Sequence, residues 1–268
     1  MIWILAIVLC HHALAFWLQR MVLFPGASMP PGNARPPEGA VRLELPGDPE
    51  AAHAFLLPPL GGTSPAPLLV YTHGNAEFVE WSFDLVEPYR RAGFHVLLPE
   101  YRGFGHANGS PSMDAIVADV IAHIAAAKAR PEVDATHVVY HGRSLGGGVL
   151  GTVAGLLPPD RLILEASFSS VRSMAGSFTV PPYLVRDNFS PSAALAGPYA
   201  GPVLLLHSQD DEVIPFAESD QNLEAARSNG NRPKSMKATR IEASDGMGHN
   251  DPWLHRAQAD IMGFALRR

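Results

Sequence analysis

The stretch whose reading decides the fold is His141-Gly142-Arg143-Ser144-Leu145-Gly146-Gly147-Gly148. Before it, Ala135-Thr136-His137-Val138-Val139-Tyr140 is β-branched and apolar, the make-up of a short buried strand. After it, Val149-Leu150-Gly151-Thr152-Val153-Ala154 continues as small apolar residues over a length that suits a helix. A Gly-x-Ser-x-Gly turn between strand and helix is a nucleophile elbow. Gly142 and Gly146 let the two elements approach closely, which lifts Ser144 above the sheet edge. The helix N-terminus beneath the hydroxyl then favours negative charge there. Ser144 is the candidate nucleophile.

Two rival readings use the same letters. Gly146 to Gly151 also spells G-x-G-x-x-G, and Glu165 ends the next apolar run, as a ribose-binding acid would. A dinucleotide fingerprint, however, puts its first glycine in the turn itself. Here Gly142-Arg143-Ser144 fills the turn, so the later glycines fall inside the helix and suit close packing. The blander alternative is a serine in an ordinary tight turn.

The chain has 268 residues, 47% hydrophobic and 17% charged, enough for one sizeable core. Its formal net charge is -6 and no basic stripe appears, which argues against nucleic acid as a partner. The single cysteine, Cys10, cannot close an internal disulfide. No internal repeat appears.

Residues 1 to 18 carry no charge, and only His11 and His12 interrupt the apolar run. At about 1.5 Å per residue this helix just spans a hydrocarbon core of roughly 30 Å. Trp3, Phe16 and Trp17 sit near its ends, where aromatic rings favour the headgroup region. Ala13-Leu14-Ala15 resembles a signal-peptidase site, but no basic residue precedes the run and the run continues past it. We therefore expect a membrane anchor over residues 1–19, a Pro/Gly-rich linker over 20–40, and a catalytic domain over 41–268. Arg20 follows the run while no Lys or Arg precedes it, an asymmetry that favours the cytoplasmic side for that domain over the opposite one.

Val41 to Leu45 alternates as a half-buried strand does, and Ala52 to Leu57 reads as its hairpin partner across Pro46-Gly47-Asp48. Gly61-Gly62-Thr63-Ser64-Pro65 makes the next turn, and Pro67 to Thr72 is a strand buried on both faces. Strands and helices then alternate: a helix over roughly Phe78 to Ala92, and a strand over Phe94 to Leu98. A helix capped by Ser112 and the elbow unit come next, followed by strands at Leu162–Leu164 and Val203–Leu206. The pattern predicts an α/β fold, a mostly parallel sheet opened by an antiparallel hairpin, with helices on both faces. Ligands of such sheets bind beyond the carboxyl ends of the strands.

Three strand ends carry chemistry. The first is His73-Gly74-Asn75-Ala76. The second, His207-Ser208-Gln209-Asp210-Asp211, offers two adjacent carboxylates, with Asp211 the better acid and Asp210 suited to orient its loop or cap a helix. Downstream, Gly246-Met247-Gly248-His249 sets a histidine in a glycine loop, and Asp251 is expected to cap the terminal helix beginning at Pro252. Eight further histidines, His11, His12, His53, His95, His106, His123, His137 and His141, have no convincing partners, and no metal site is read. The polar stretch Ala226 to Arg240 takes no role.

These residues together resemble the α/β-hydrolase superfamily, and more narrowly its Bem46-like membrane-anchored serine hydrolases. The matching stretches are Arg20-Met21-Val22-Leu23-Phe24-Pro25, His73-Gly74-Asn75-Ala76, Tyr101-Arg102-Gly103-Phe104-Gly105 and Gly109-Ser110-Pro111-Ser112. To these add Gly142 to Gly147, Asp211-Glu212-Val213-Ile214-Pro215 and Gly248-His249-Asn250-Asp251. The resemblance implies a Ser144–Asp211–His249 triad, with an oxyanion hole from the backbone N–H groups of Asn75 (or Ala76) and Leu145. It implies no cofactor. It extends to depalmitoylating thioesterases and to serine aminopeptidases. A small or lipid-like acyl ester or thioester is the expected substrate; an amide-cleaving enzyme and a non-catalytic membrane-tethered scaffold are the alternatives. Glu100 stands where an aspartate is usual, and Ser208 where a glycine is. The segment Ser169 to Gly201 is short for a cap domain, so an open site is expected.

Overall fold

A computed structural model of the protein describes residues 2–62, 64–178 and 180–267. Thr63 in the expected Gly61–Pro65 turn, and Met1 of the expected anchor, lie outside the described residues.

Eight strands form one sheet: β1 (Val41–Leu43), β2 (Ala54–Leu57), β3 (Ala66–Thr72), β4 (His95–Pro99), β5 (Val133–Arg143), β6 (Arg161–Glu165), β7 (Val203–Ser208) and β8 (Ala238–Ala243). Their spatial order is β1-β2-β4-β3-β5-β6-β7-β8. β1 pairs β2, and β2 pairs β4, antiparallel; every other neighbouring pair is parallel. The helices are α1 (Ile2–Leu23), α2 (Glu87–Arg91), α3 (Met113–Lys128), α4 (Leu145–Ala154), α5 (Val171–Met174), α6 (Pro191–Ala196), α7 (Phe216–Ser228), α8 (Trp253–Arg256) and α9 (Gln258–Ala265). This is an α/β-hydrolase fold.

The period of two along each strand divides the core into two layers. Leu68, Val70, Leu162, Leu164, Val203 and Leu205 face one way and pack with Ile116, Val120, Val149 and Val153 of α3 and α4. Leu69, Tyr71, Ile163, Leu204 and Leu206 face the other way and meet Val86, Tyr89, Trp253 and Ile261. The connections after β3 and β5 leave toward opposite ends of the sheet, since β4 lies on one side of β3 and β6 on the far side of β5. A crevice therefore opens beyond the carboxyl ends of β3 and β5, at Thr72 and Arg143.

Ser112 caps α3, its hydroxyl accepting from the Ala115 N–H at 3.3 Å. The helix expected over Phe78 to Ala92 is only a 3-10 turn at Val79–Ser82 followed by α2. Pro88 lacks an N–H and clashes with the preceding turn, so a helix can start there but not run through it. The unassigned stretch after Ala226 ends α7 and then enters β8, an edge strand whose Arg240 pairs with Asp220 and Glu242. Charged side chains on an edge hide the apolar alternation while protecting the edge from further pairing.

The segment after α1 is fastened to the sheet layer. Phe24 is buried, its ring edge-on to Phe104 and Phe189. The Gly26 N–H donates to the Asn75 carbonyl at 3.0 Å.

Candidate active site

Ser144 ends the β5 turn at φ 52°, ψ −117°, a conformation L-residues rarely hold. The flanking glycines are what permit it. A Cβ on Gly146 would lie 2.1 Å from the Thr72 carbonyl oxygen, and one on Gly142 would lie 2.3 Å from the Gly146 oxygen. Further along α4, a Cβ on Gly147 would strike Ser167 at 2.5 Å and one on Gly148 would strike Phe168 at 2.5 Å. The glycine run is thus a packing surface. Glu165, the acid of the nucleotide reading, is buried against His141 and Arg143, so no ribose reaches it.

The Ser144 hydroxyl donates to His249 Nε2 at 3.0 Å, and His249 Nδ1 donates to Asp211 Oδ2 at 2.8 Å. Asp211 Oδ1 accepts from the N–H groups of Val213 and Ile214 at 2.9 and 2.8 Å. Burial acts on this carboxyl to raise its pKa, but the His249 and backbone hydrogen bonds outweigh it and hold the group below its ordinary 3.8. A carboxylate kept ionised there fixes the imidazole tautomer whose Nε2 faces the serine.

The other acids of the loop hold the histidine segment. Asp210 accepts from the Gly246 N–H at 2.9 Å, Glu212 from the His249 N–H at 3.0 Å, and Asp251 from the Gly248 N–H at 2.8 Å. Asp251 is therefore not the cap of the terminal helix. That helix is itself divided, α8 ending and α9 beginning at Ala257, where φ is −120°.

Asn75 and Leu145 border the same cavity as Ser144. As the first residue of α4, Leu145 has an N–H with no intrahelical acceptor. The rest of the wall is mainly apolar: Phe168, Met174, Val180, Val185 and Ile214, with Val22 and Leu23 of α1. Ser144 is 8% exposed. The end of α1 supplies one wall of the cavity, and the Ser169–Gly201 segment supplies another. Among the described residues no group of three or more His, Cys, Asp or Glu is placed to hold a metal ion.

The sequence reading missed a polar brace behind the elbow. Arg143, buried, donates to the His249 carbonyl and to Asn250 Oδ1, both at 3.1 Å, and pairs with Glu77. Glu77 accepts from the Gly74 N–H at 2.7 Å. One guanidinium thus links the elbow, the histidine loop and the loop of Asn75. Behind it, His141 Nε2 donates to Glu165 at 2.9 Å while Nδ1 accepts from the Tyr89 hydroxyl at 2.8 Å. His141, expected to lack a partner, has two. Glu100 likewise fits, its carboxylate taking the His73 Nε2–H at 2.8 Å and the Tyr101 N–H at 2.8 Å. Ser208 Oγ accepts from the Asp210 N–H at 3.1 Å. Such a network has no signal in spacing, since its members meet only through the sheet register.

Residues 63–186 match the family described as Serine aminopeptidase, S33. The protein Rv2307c of Mycobacterium tuberculosis is 29% identical over 272 residues, covering 99% of this chain and 92% of that protein. The Lysophosphatidylserine lipase ABHD12 of Danio rerio is 27% identical over 216 residues, covering 71% of this chain and 55% of that protein. Among solved structures, Est1E from Butyrivibrio proteoclasticus superposes with a TM-score of 0.66 at 17% identity, covering 85% of this chain and 98% of that one, a likeness of fold. The family match over residues 63–186, the relatives and the fold together indicate a member of the α/β-hydrolase superfamily. The relatives it resembles include ABHD-like proteins, and its fold is of the serine-hydrolase type.

Proposed function

We propose that the protein is a membrane-anchored serine hydrolase cleaving carboxylic esters or thioesters of acyl compounds. The hydrogen-bonded chain from Ser144, which borders an apolar cavity, through His249 to Asp211 carries this reading. His249 takes the serine proton as Oγ attacks the acyl carbonyl, and Asp211 stabilises the resulting imidazolium. The N–H groups of Asn75 and Leu145 hold the tetrahedral oxyanion, a contribution worth several kcal/mol because the donors are already in place. The oxyanion collapses, the leaving group departs with the proton from His249, and the acyl group stays on Oγ. Water then attacks by the same path and releases the acid, returning the proton to Ser144.

The wall favours esters over peptides. Among the described residues its polar members are Gln19, Asn75 and Ser144, and none of them is a carboxylate that could bind the ammonium of an aminopeptidase substrate. The lipase named among the relatives agrees with an acyl substrate. α1, apolar and long enough to cross a membrane by length and composition, supports the reading of an N-terminal anchor. The sheet and its helices form the domain it carries, on the cytoplasmic side by the charge asymmetry at Arg20. Protease digestion of sealed vesicles tests that side.

A fluorophosphonate probe and a graded series of p-nitrophenyl esters, beside acyl thioesters and aminoacyl amides, test the chemistry. Labelling at Ser144 and ester turnover are expected, and both are lost in Ser144→Ala by several orders of magnitude. An unlabelled, inactive native protein would leave the scaffold reading in its place.

A further inference from the structure

The stretch Gln19 to Gly26 takes no part in the chemistry above, yet it is built into the site. Gln19 donates to the Leu184 carbonyl at 3.0 Å and accepts from the Arg186 N–H at 2.8 Å. Arg20 grips Asp187 with two hydrogen bonds, at 2.7 and 3.0 Å. These contacts clamp the last turn of α1 to the segment that closes the cavity from the other side. Between the clamps, Val22 and Leu23 face the same cavity as Ser144. The Gly26 N–H then supports the loop of Asn75 by donating to the Asn75 carbonyl. A Cβ at Gly26 would lie 2.3 Å from the Phe104 ring, so only glycine sits this close.

Gln19 borders the cavity, but both ends of its amide are engaged by the clamp, which leaves this side of the wall apolar in effect. An apolar wall binds methylenes, each fully buried one strengthening binding about fourfold. Val22 is 49% exposed although it lines the cavity, so it stands at the rim. On α1, Leu18, Trp17 and Met21 in the turns before it are also exposed and apolar. Across from them Tyr183 is also exposed, its hydroxyl bonded to His12 of α1. The mouth of the cavity therefore opens onto the flank of the helix that is long and apolar enough to lie in lipid.

We propose that the last turn of α1 is one wall of the acyl site, and that it takes a single acyl chain of a membrane-resident ester from the lipid side, with Val22 setting the chain length. The proposal rests on the reading of Ser144 as nucleophile. The experiment uses the full chain in phosphatidylcholine vesicles, with p-nitrophenyl acetate through decanoate as substrates and a fluorophosphonate to report the serine. Val22→Trp is expected to lower the decanoate-to-acetate ratio of kcat/KM tenfold or more, and Val22→Ala to move the optimum toward longer chains. Both variants should still label. If both label and turn over but hold the native ratio within twofold, Val22 does not line the acyl path and the proposal falls while the nucleophile stands. If the native protein neither labels nor turns over any ester, the nucleophile reading falls, and the acyl wall with it.

Discussion

Arg143 is the residue between the elbow glycine and the serine, a position where a side chain is free to point away from the substrate. Here it points back, and its planar fork reaches the His249 carbonyl, Asn250 and Glu77 at once. Lysine carries the charge without the fork, so it cannot hold three loops in register. Arg143→Lys is expected to lower kcat by on the order of a hundredfold, the cost of an ångström of misplacement at a reacting centre, with KM little changed. Circular dichroism and thermal melting of the variant separate this from unfolding. A parallel rise in KM with kcat preserved would mean that the brace shapes binding instead. The three residues expected to do chemistry could be picked out because Ser144 and Asp211 follow apolar runs and His249 lies in a glycine loop, in the order that the motif fixes. The brace was not legible, because Glu77, Arg143 and Glu165 lie on separate units that only the β3, β5 and β6 register brings together.

At the scale of elements, what the sequence shows is its apolar patterning and its caps. Ser112 before Met113 reads as a cap and is one, so Ser112→Ala should cost about 1 kcal/mol, seen as a lower urea midpoint with an unchanged slope. The central strands were visible as continuous apolar runs, since both of their faces are covered. β8 was not visible, because an edge strand carries charge where a central one carries valine. The end of α1 was read only as far as its hydropathy goes. Its docking depends on Phe24 finding Phe104 and Phe189, a contact across far-separated parts of the chain that local pattern does not encode.

The molecule as a whole buries several histidines in neutral form. Burial lowers the pKa of His53, with help from the Arg42 charge, to about 4 from an ordinary 6.5. Burial also lowers His95, His123 and His207. Unfolding exposes these rings to protons that the folded state refuses, so the unfolded chain binds more protons below pH 6.5. The stability they contribute is complete above that pH and is lost as pH falls toward 4. Below that, Asp211 adds its own loss as it protonates, because its folded pKa is depressed. The thermal midpoint is expected to decline steadily from pH 7 to 4.5, and less steeply in His53→Gln. A flat profile over that range would show that these rings titrate alike in both states.

The Gly26–Asn75 hydrogen bond lies only three residues beyond the end of α1. On the proposed reading, with α1 in a bilayer, there would be no slack between the lipid and the Asn75 loop: the reaction centre would ride at a set altitude over the headgroups and could not swing out to meet a molecule in bulk water. Substrates would then have to come to that plane, and lengthening the chain between Leu23 and Phe24 by even a few residues would change which molecules it could reach.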